Sequence, residues 1–156
     1  MKKLISLIFL MMFFALSACA SGVESKNSNS NSITGEKKMK ITITINGTTM
    51  NAVLNDNSSS RALYELLQNG SITINMRDYG GMEKVGNLPK SLPRNDTPTD
   101  TDAGDLILYQ GRAFVIYYDT NSWNFTPLGK IEGVSKSELK KILGSGSVTT
   151  ILAIGE

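Results

Sequence analysis

Residues 72–93 read ITINMRDYGGMEKVGNLPKSLP, and this stretch decides how the rest of the chain is read. It begins with strict alternation. Ile72, Ile74 and Met76 fall on one face, and Thr73, Asn75 and Arg77 on the other, the period-two pattern of a half-buried strand. Gly80-Gly81 then breaks the strand. A Gly- and Pro-bearing segment follows as far as Gly104, with Pro89, Pro93 and Pro98 along it. A segment of that length without periodic structure is usually a functional loop or a disordered one. Tyr79, Met82, Val85 and Leu88 give it apolar surface to bury, so the sequence predicts a partly ordered loop that carries function.

Working outward from that loop, the chain before it supplies two strands and a helix. Lys40–Asn46 alternates Ile41, Ile43 and Ile45 against Thr42 and Thr44. Asn46-Gly47 is a two-residue hairpin turn, because both residues tolerate positive φ. Thr48–Leu54 is the returning strand. Asn55–Ser60 is polar and offers a helix cap, Arg61–Gln68 places Ala62, Leu63, Leu66 and Leu67 on one side, and Asn69-Gly70 stops the helix. After the loop, Asp105–Tyr109 and Arg112–Tyr118 are strands around Gln110-Gly111. Val115 and Tyr117 alternate with Phe114 and Ile116, so this strand is apolar on both faces and belongs at the centre of a sheet. Asp119–Asn124 reads as a turn presenting Trp123, the single tryptophan. Phe125–Glu132 is a strand in which Pro127 requires an edge or a bulge. Ser135-Lys136-Ser137-Glu138 fits a capping box for a second short helix ending at Gly144. Val148–Ile154 is a last strand.

The two ends of the chain differ in character. Lys2 and Lys3 precede an apolar run, Leu4–Leu16, of about 13 residues, which is short for a membrane span. It ends in Leu16-Ser17-Ala18-Cys19, which resembles a bacterial lipobox. That resemblance implies a signal peptide over residues 1–18, lipidation of Cys19 and exported protein anchored to the membrane or cell envelope. Cys19 is the only cysteine, so a lipidated Cys19 leaves no thiol for a disulfide or a nucleophile. Residues 19–38 hold the lipidated Cys and a polar, repetitive tether. Residues 39–156 are long enough for one domain with its own core. Removing Lys2 and Lys3 from the 16 basic residues leaves 14 against 14 acidic ones. A neutral domain without a basic run is not built for nucleic acid, which demands several phosphate-neutralising cations on one face.

Five blocks in order, ITITING, ITINMRDYGGMEKVGNLPKSLP, AGDLILYQGRAFVIYYDT, FTPLGKIEG and LGSGSVT, resemble the bacterial cyclophilin-like proteins across residues 39–156. The resemblance implies a mainly β fold: a closed eight-stranded cyclophilin-like β-barrel with two short helices. Cyclophilins are peptidyl-prolyl isomerases in which an arginine bonds the prolyl nitrogen and weakens amide resonance, lowering a barrier of roughly 18–20 kcal/mol. An apolar pocket holds the proline ring, and a histidine helps frame it. This chain contains no histidine and lacks the cyclophilin arginine-phenylalanine-methionine-glutamine order. Arg77 is the candidate stand-in for the catalytic arginine.

Each candidate side chain has a plain alternative. Arg77 is either a guanidinium at a pocket mouth or a surface ion pair with Asp78 or Glu83. Tyr79 and Met82 either line a pocket or pack the loop against itself. Trp123 is either a ligand platform or a plug at the barrel end. Glu83 and Lys84, adjacent charges on a loop, read as solvated. Asp96, Asp100, Asp102 and Asp105 do not follow a calcium-loop pattern, since Gly104 and Gly111 stand where ligands belong. Gly144–Ser147 lacks the lysine of a phosphate-binding loop, and no Ser-His-Asp set exists without histidine. No metal and no cofactor is expected. The sequence therefore points to a binding site for a peptide, small ligand or envelope partner protein, formed by Arg77, Tyr79, Met82 and Trp123. The alternative is a weak prolyl isomerase using Arg77.

Overall fold

The computed structural model describes residues 38–156 of the chain. The expected signal peptide, the expected lipidation site Cys19 and nearly all of the expected tether lie outside the described residues. The elements in order are β1 (Lys40–Ile45), β2 (Thr48–Leu54), α1 (Ser58–Gln68), β3 (Ile72–Tyr79), β4 (Glu83–Asn87), β5 (Thr97–Thr101), β6 (Asp105–Tyr109), β7 (Ala113–Tyr117), β8 (Asn121–Ile131), α2 (Lys136–Leu143) and β9 (Val148–Ile154).

The strands are ordered β2-β1-β9-β3-β4-β7-β6-β8-β5, and β2 also pairs with β8 through Ala52–Leu54 and Gly129–Ile131. Eight strands thus form a continuous hydrogen-bonded ring, and β5 lies outside it, paired with the first half of β8. Gly129 makes the closing contact sterically possible: a Cβ there would sit 2.2 Å from the Val53 carbonyl oxygen. Pro127 lies where the β6–β8 register shifts between Leu106 and Ile107, the bulge that its missing N–H requires. Its carbonyl accepts from Asn57 Nδ2 at 2.7 Å, while the Asn57 side chain caps α1 by accepting from the Ser60 amide. Ser135 and Glu138 form the expected capping box on α2.

Period-two alternation gives each strand two faces. Ile41, Ile43, Ile74, Met76, Leu106, Leu108, Phe114, Ile116 and Leu152 share one buried cluster inside the ring, joined by Leu63 and Leu67 of α1 and Leu139 and Leu143 of α2. Ile107, Val115, Tyr117 and Phe125 form a second, smaller cluster, packed with Met82, Val85 and Ala113. These residues alternate with inward ones on β6 and β7, so the second cluster lies on the outer face of the ring. Each fully buried aliphatic side chain is worth about 1.5–3 kcal/mol, so the inner cluster carries most of the stability.

Two expectations are corrected here. The segment after Gly81 is not a long irregular loop, since it contains β4 and β5. Strand β4 reads EKVGN and β5 reads TPTDT, so neither shows apolar alternation; neighbouring strands recruit them by backbone pairing. The supposed turn at 119–124 is also largely strand, because β8 starts at Asn121.

Candidate functional site

Arg77, Tyr79, Met82 and Trp123 line one cavity of about 390 Å³. With them are Glu83, Val85, Tyr109, Val115, Tyr117, Asn121 and Phe125. The arrangement follows from strand parity. Arg77 and Tyr79 are two apart on β3, Glu83 and Val85 on β4, and Val115 and Tyr117 on β7. Asn121, Trp123 and Phe125 are spaced by two on β8. Residues i and i+2 share a face, so all these side chains emerge on the outer side. Only Met82 comes from a turn. Gly80 and Gly81 make that turn with φ of 59° and 69°, a conformation glycine adopts without steric cost.

The floor is apolar, built by Val85, Val115 and Phe125. Phe125 packs against Tyr117 with ring centroids 5.7 Å apart, and edge-on against Tyr109 at 6.3 Å. The rim is exposed and aromatic: Tyr79 is 64% exposed and Trp123 65%. Trp123 is therefore not a plug. It also lines two adjoining depressions, one beside Pro98 and Asp100 and one beside Arg94 and Gln110.

The charged groups depart from the sequence expectation. Arg77 is exposed and forms no ion pair among the described residues. Asp78, its expected partner, instead holds the Lys84 ammonium at 2.7 Å and accepts from the Gly146 amide at 2.6 Å. Glu83 and Lys84 are not solvated. Lys84 is fully buried, and Glu83 is 8% exposed. Lys84 pairs with Ile116 across β4–β7 and so points inward, where its Nζ also donates to the Gly146 carbonyl at 2.7 Å. The Lys84 hydrogen bond, first among several contacts, holds the Asp78 carboxyl below its usual range.

Glu83 lies opposite Tyr117 on the outer face. Burial pushes its carboxyl above the usual glutamate range, opposed by the neighbouring Tyr117 hydroxyl. Burial, and then Glu83 itself, push the Tyr117 phenol well up, so it keeps its proton. Asn121 Nδ2 donates to Tyr117 Oη at 3.1 Å. The cavity thus holds a buried acid, a neutral phenol and an amide on apolar walls, with a free guanidinium at its edge. Sequence reading took Glu83 as solvated and did not single out Tyr117 or Asn121. The available signal was the parity of β7, whose second apolar face had to meet something.

The acidic residues weighed as a calcium loop are engaged separately. Asp96 pairs with Arg94, Asp100 accepts from Ser122, and Asp105 pairs with Lys130. No group of three or more His, Cys, Asp or Glu side chains suited to a metal occurs among the described residues.

Comparison with known proteins agrees with the architecture. No curated protein matches the chain. The solution structure of a hypothetical protein from Archaeoglobus fulgidus is similar to it, with a TM-score of 0.52 at 14% identity, covering 78% of this chain and 99% of that one. At that identity the likeness concerns the fold alone. A model of the cyclophilin-like family matches residues 43–153, from within β1 to within β9, and so takes in every strand of the ring: the chain belongs to the cyclophilin-like family.

Proposed function

We propose that the outer-face cavity binds an apolar group carried on a peptide or small ligand, and that the chain presents it from a lipid anchor at Cys19. The observation that carries this reading is convergence. Five strands and one turn direct apolar and aromatic side chains to a single cavity of about 390 Å³, within the range of ligand sites. Two large aromatics stand exposed at its rim, where an isolated domain gains nothing from burying them. Trp123, shared with two further depressions, favours an extended ligand such as a peptide segment over a compact one. The lipobox at Leu16–Cys19 supports anchoring. Labelled palmitate incorporated into the chain, and lost in Cys19→Ala, is the expected result for the anchor.

Prolyl isomerisation is the second reading, and one observation favours it. Arg77 is uncommitted and edges an apolar cavity, the pairing an isomerase uses on a prolyl amide. Against it stands the absence of histidine from the chain. A short Xaa-Pro peptide titrated into the protein separates the readings. Binding alone shifts Trp123 emission and leaves the peptide's cis/trans exchange at its background rate. Isomerase activity accelerates exchange in an Arg77-dependent way. No Trp123 response to peptides or small apolar ligands would overturn the binding site.

A further inference from the structure

Glu83 is a buried carboxylate that the protein does not neutralise. Its neighbour Lys84 shows how this fold treats a charge it keeps for itself: Lys84 Nζ meets Asp78 and a backbone carbonyl, each at 2.7 Å. Glu83 has no basic partner in any ion pair among the described residues. It faces the Tyr117 phenol, and it lines the cavity. An isolated buried carboxylate is costly unless a positive charge or several donors answer it.

The walls around it favour the missing charge. Tyr79, Tyr109 and Trp123 stand at the rim, and Tyr117 and Phe125 deeper in. Aromatic faces attract cations, most strongly where water is excluded. Arg77 does not cancel this preference. Its guanidinium is exposed and screened by solvent, while the Glu83 charge acts within the apolar cup.

We propose that the ligand of this cavity carries a primary ammonium group on an apolar or aromatic stem, seated with its nitrogen on Glu83. This rests on the outer-face cavity being a binding site. Arg77 then lies at the edge, where a carbonyl or carboxylate of the same ligand would meet it. A free amine and the lysine side chain of a peptide share this chemistry.

The test is a fluorescence titration of the full-length chain at pH 7, with Trp123 as its single tryptophan reporter. The probes are benzylamine, its neutral analogue benzyl alcohol, benzoate, and N-acetyl-lysine methylamide. Benzylamine is expected to bind about tenfold tighter than benzyl alcohol, as a charge-assisted contact predicts, with benzoate weakest. Glu83→Gln is expected to bring benzylamine and benzyl alcohol within about twofold of each other. The probe ranking in the native chain does not depend on the variant folding. Tighter binding of either benzylamine or the lysine derivative sustains the inference, and which of them leads separates a free amine from a peptide lysine. No advantage of either benzylamine or the lysine derivative over benzyl alcohol, or strongest binding of benzoate, overturns the cation and leaves the cavity reading standing. A preference that survives Glu83→Gln overturns the role of Glu83. No response to any probe overturns the cavity reading itself.

Discussion

Glu83 and Lys84 are adjacent on one short strand, and β4 turns them to opposite faces. Lys84 enters the ring and is satisfied there by Asp78 and Gly146. Glu83 enters the outer cup and is left without a cation. Both are buried, so burial alone does not separate structure from function. What separates them is whether the protein supplies the counter-charge. The inner face, filled mainly by apolar side chains and one neutralised lysine, is built for stability. The outer face, with an acid that has no cation and with exposed aromatics, is the face that carries the proposed site.

The largest effect is expected on the inner face. Lys84→Ala removes the cation from a buried pair and leaves a void where its stem packed. Breaking such a pair costs about 3 kcal/mol or more, and the loss is read from the midpoint of denaturant unfolding. Asp78 is partly exposed, which keeps the effect toward the lower end of that range. A loss under about 1 kcal/mol would mean that the inward lysine is not structural, and the contrast between the faces would fail.

Next in size is the acid on the outer face, and its sign is opposite. The folded-state pKa of Glu83 is raised, so the folded protein holds that proton more tightly than the unfolded chain does. Glu83 therefore opposes folding above its folded pKa, and the penalty fades as pH falls toward the ordinary glutamate value. Glu83→Gln is expected to stabilise the protein by about 1 kcal/mol at pH 7, with the gain vanishing near pH 4. Asp78 behaves conversely. Its folded pKa is depressed, so its contribution is full above the unfolded pKa and is lost as pH falls through the folded value. Parallel thermal unfolding of Glu83→Gln and Asp78→Asn across pH 3–7 sharpens the comparison: one difference curve should rise with pH in the variant's favour, the other in the native protein's.

Where these two residues lie also marks how far the sequence could be read. Strands β1, β3, β7 and β9 announce themselves, because one face or both must be apolar. The Asn46-Gly47 and Gln110-Gly111 turns and the α2 capping box are local chemistry and were equally legible. Strand β4 was not. Its alternation puts glutamate with valine and lysine with glycine, so its faces do not differ in hydropathy. Only its register against β3 and β7 gives Glu83 and Lys84 their surroundings. The site divides in the same way. Arg77, Tyr79 and Met82 flank a glycine pair, and Trp123 is unique, so each could be singled out alone. Glu83, Tyr117 and Asn121 matter because three strands bring them together. Whether adjacent charges are solvated or buried on opposite faces is a property of the sheet, and a linear sequence does not print it.

The smallest effect on stability belongs to the rim, where the comparison can be tested without disturbing the fold. Trp123 is 65% exposed on a strand that already pairs with β5 and, further along, with β6 and β2. Trp123→Ala removes surface that water already reaches, so stability should change by no more than about 0.5 kcal/mol. Ligand binding should respond quite differently. An aromatic platform facing a cation or a ring contributes about 1 kcal/mol, so affinity for a cavity ligand should fall several-fold, read by calorimetry because the variant has lost its fluorophore. The diagnostic quantity is the ratio of these two effects. Lys84→Ala should weaken folding far more than the rim substitution does, whereas Trp123→Ala should weaken binding and spare folding. Equal losses of stability in the two variants would show that the rim aromatics hold the fold together, and the outer cup would then be a second core rather than a site.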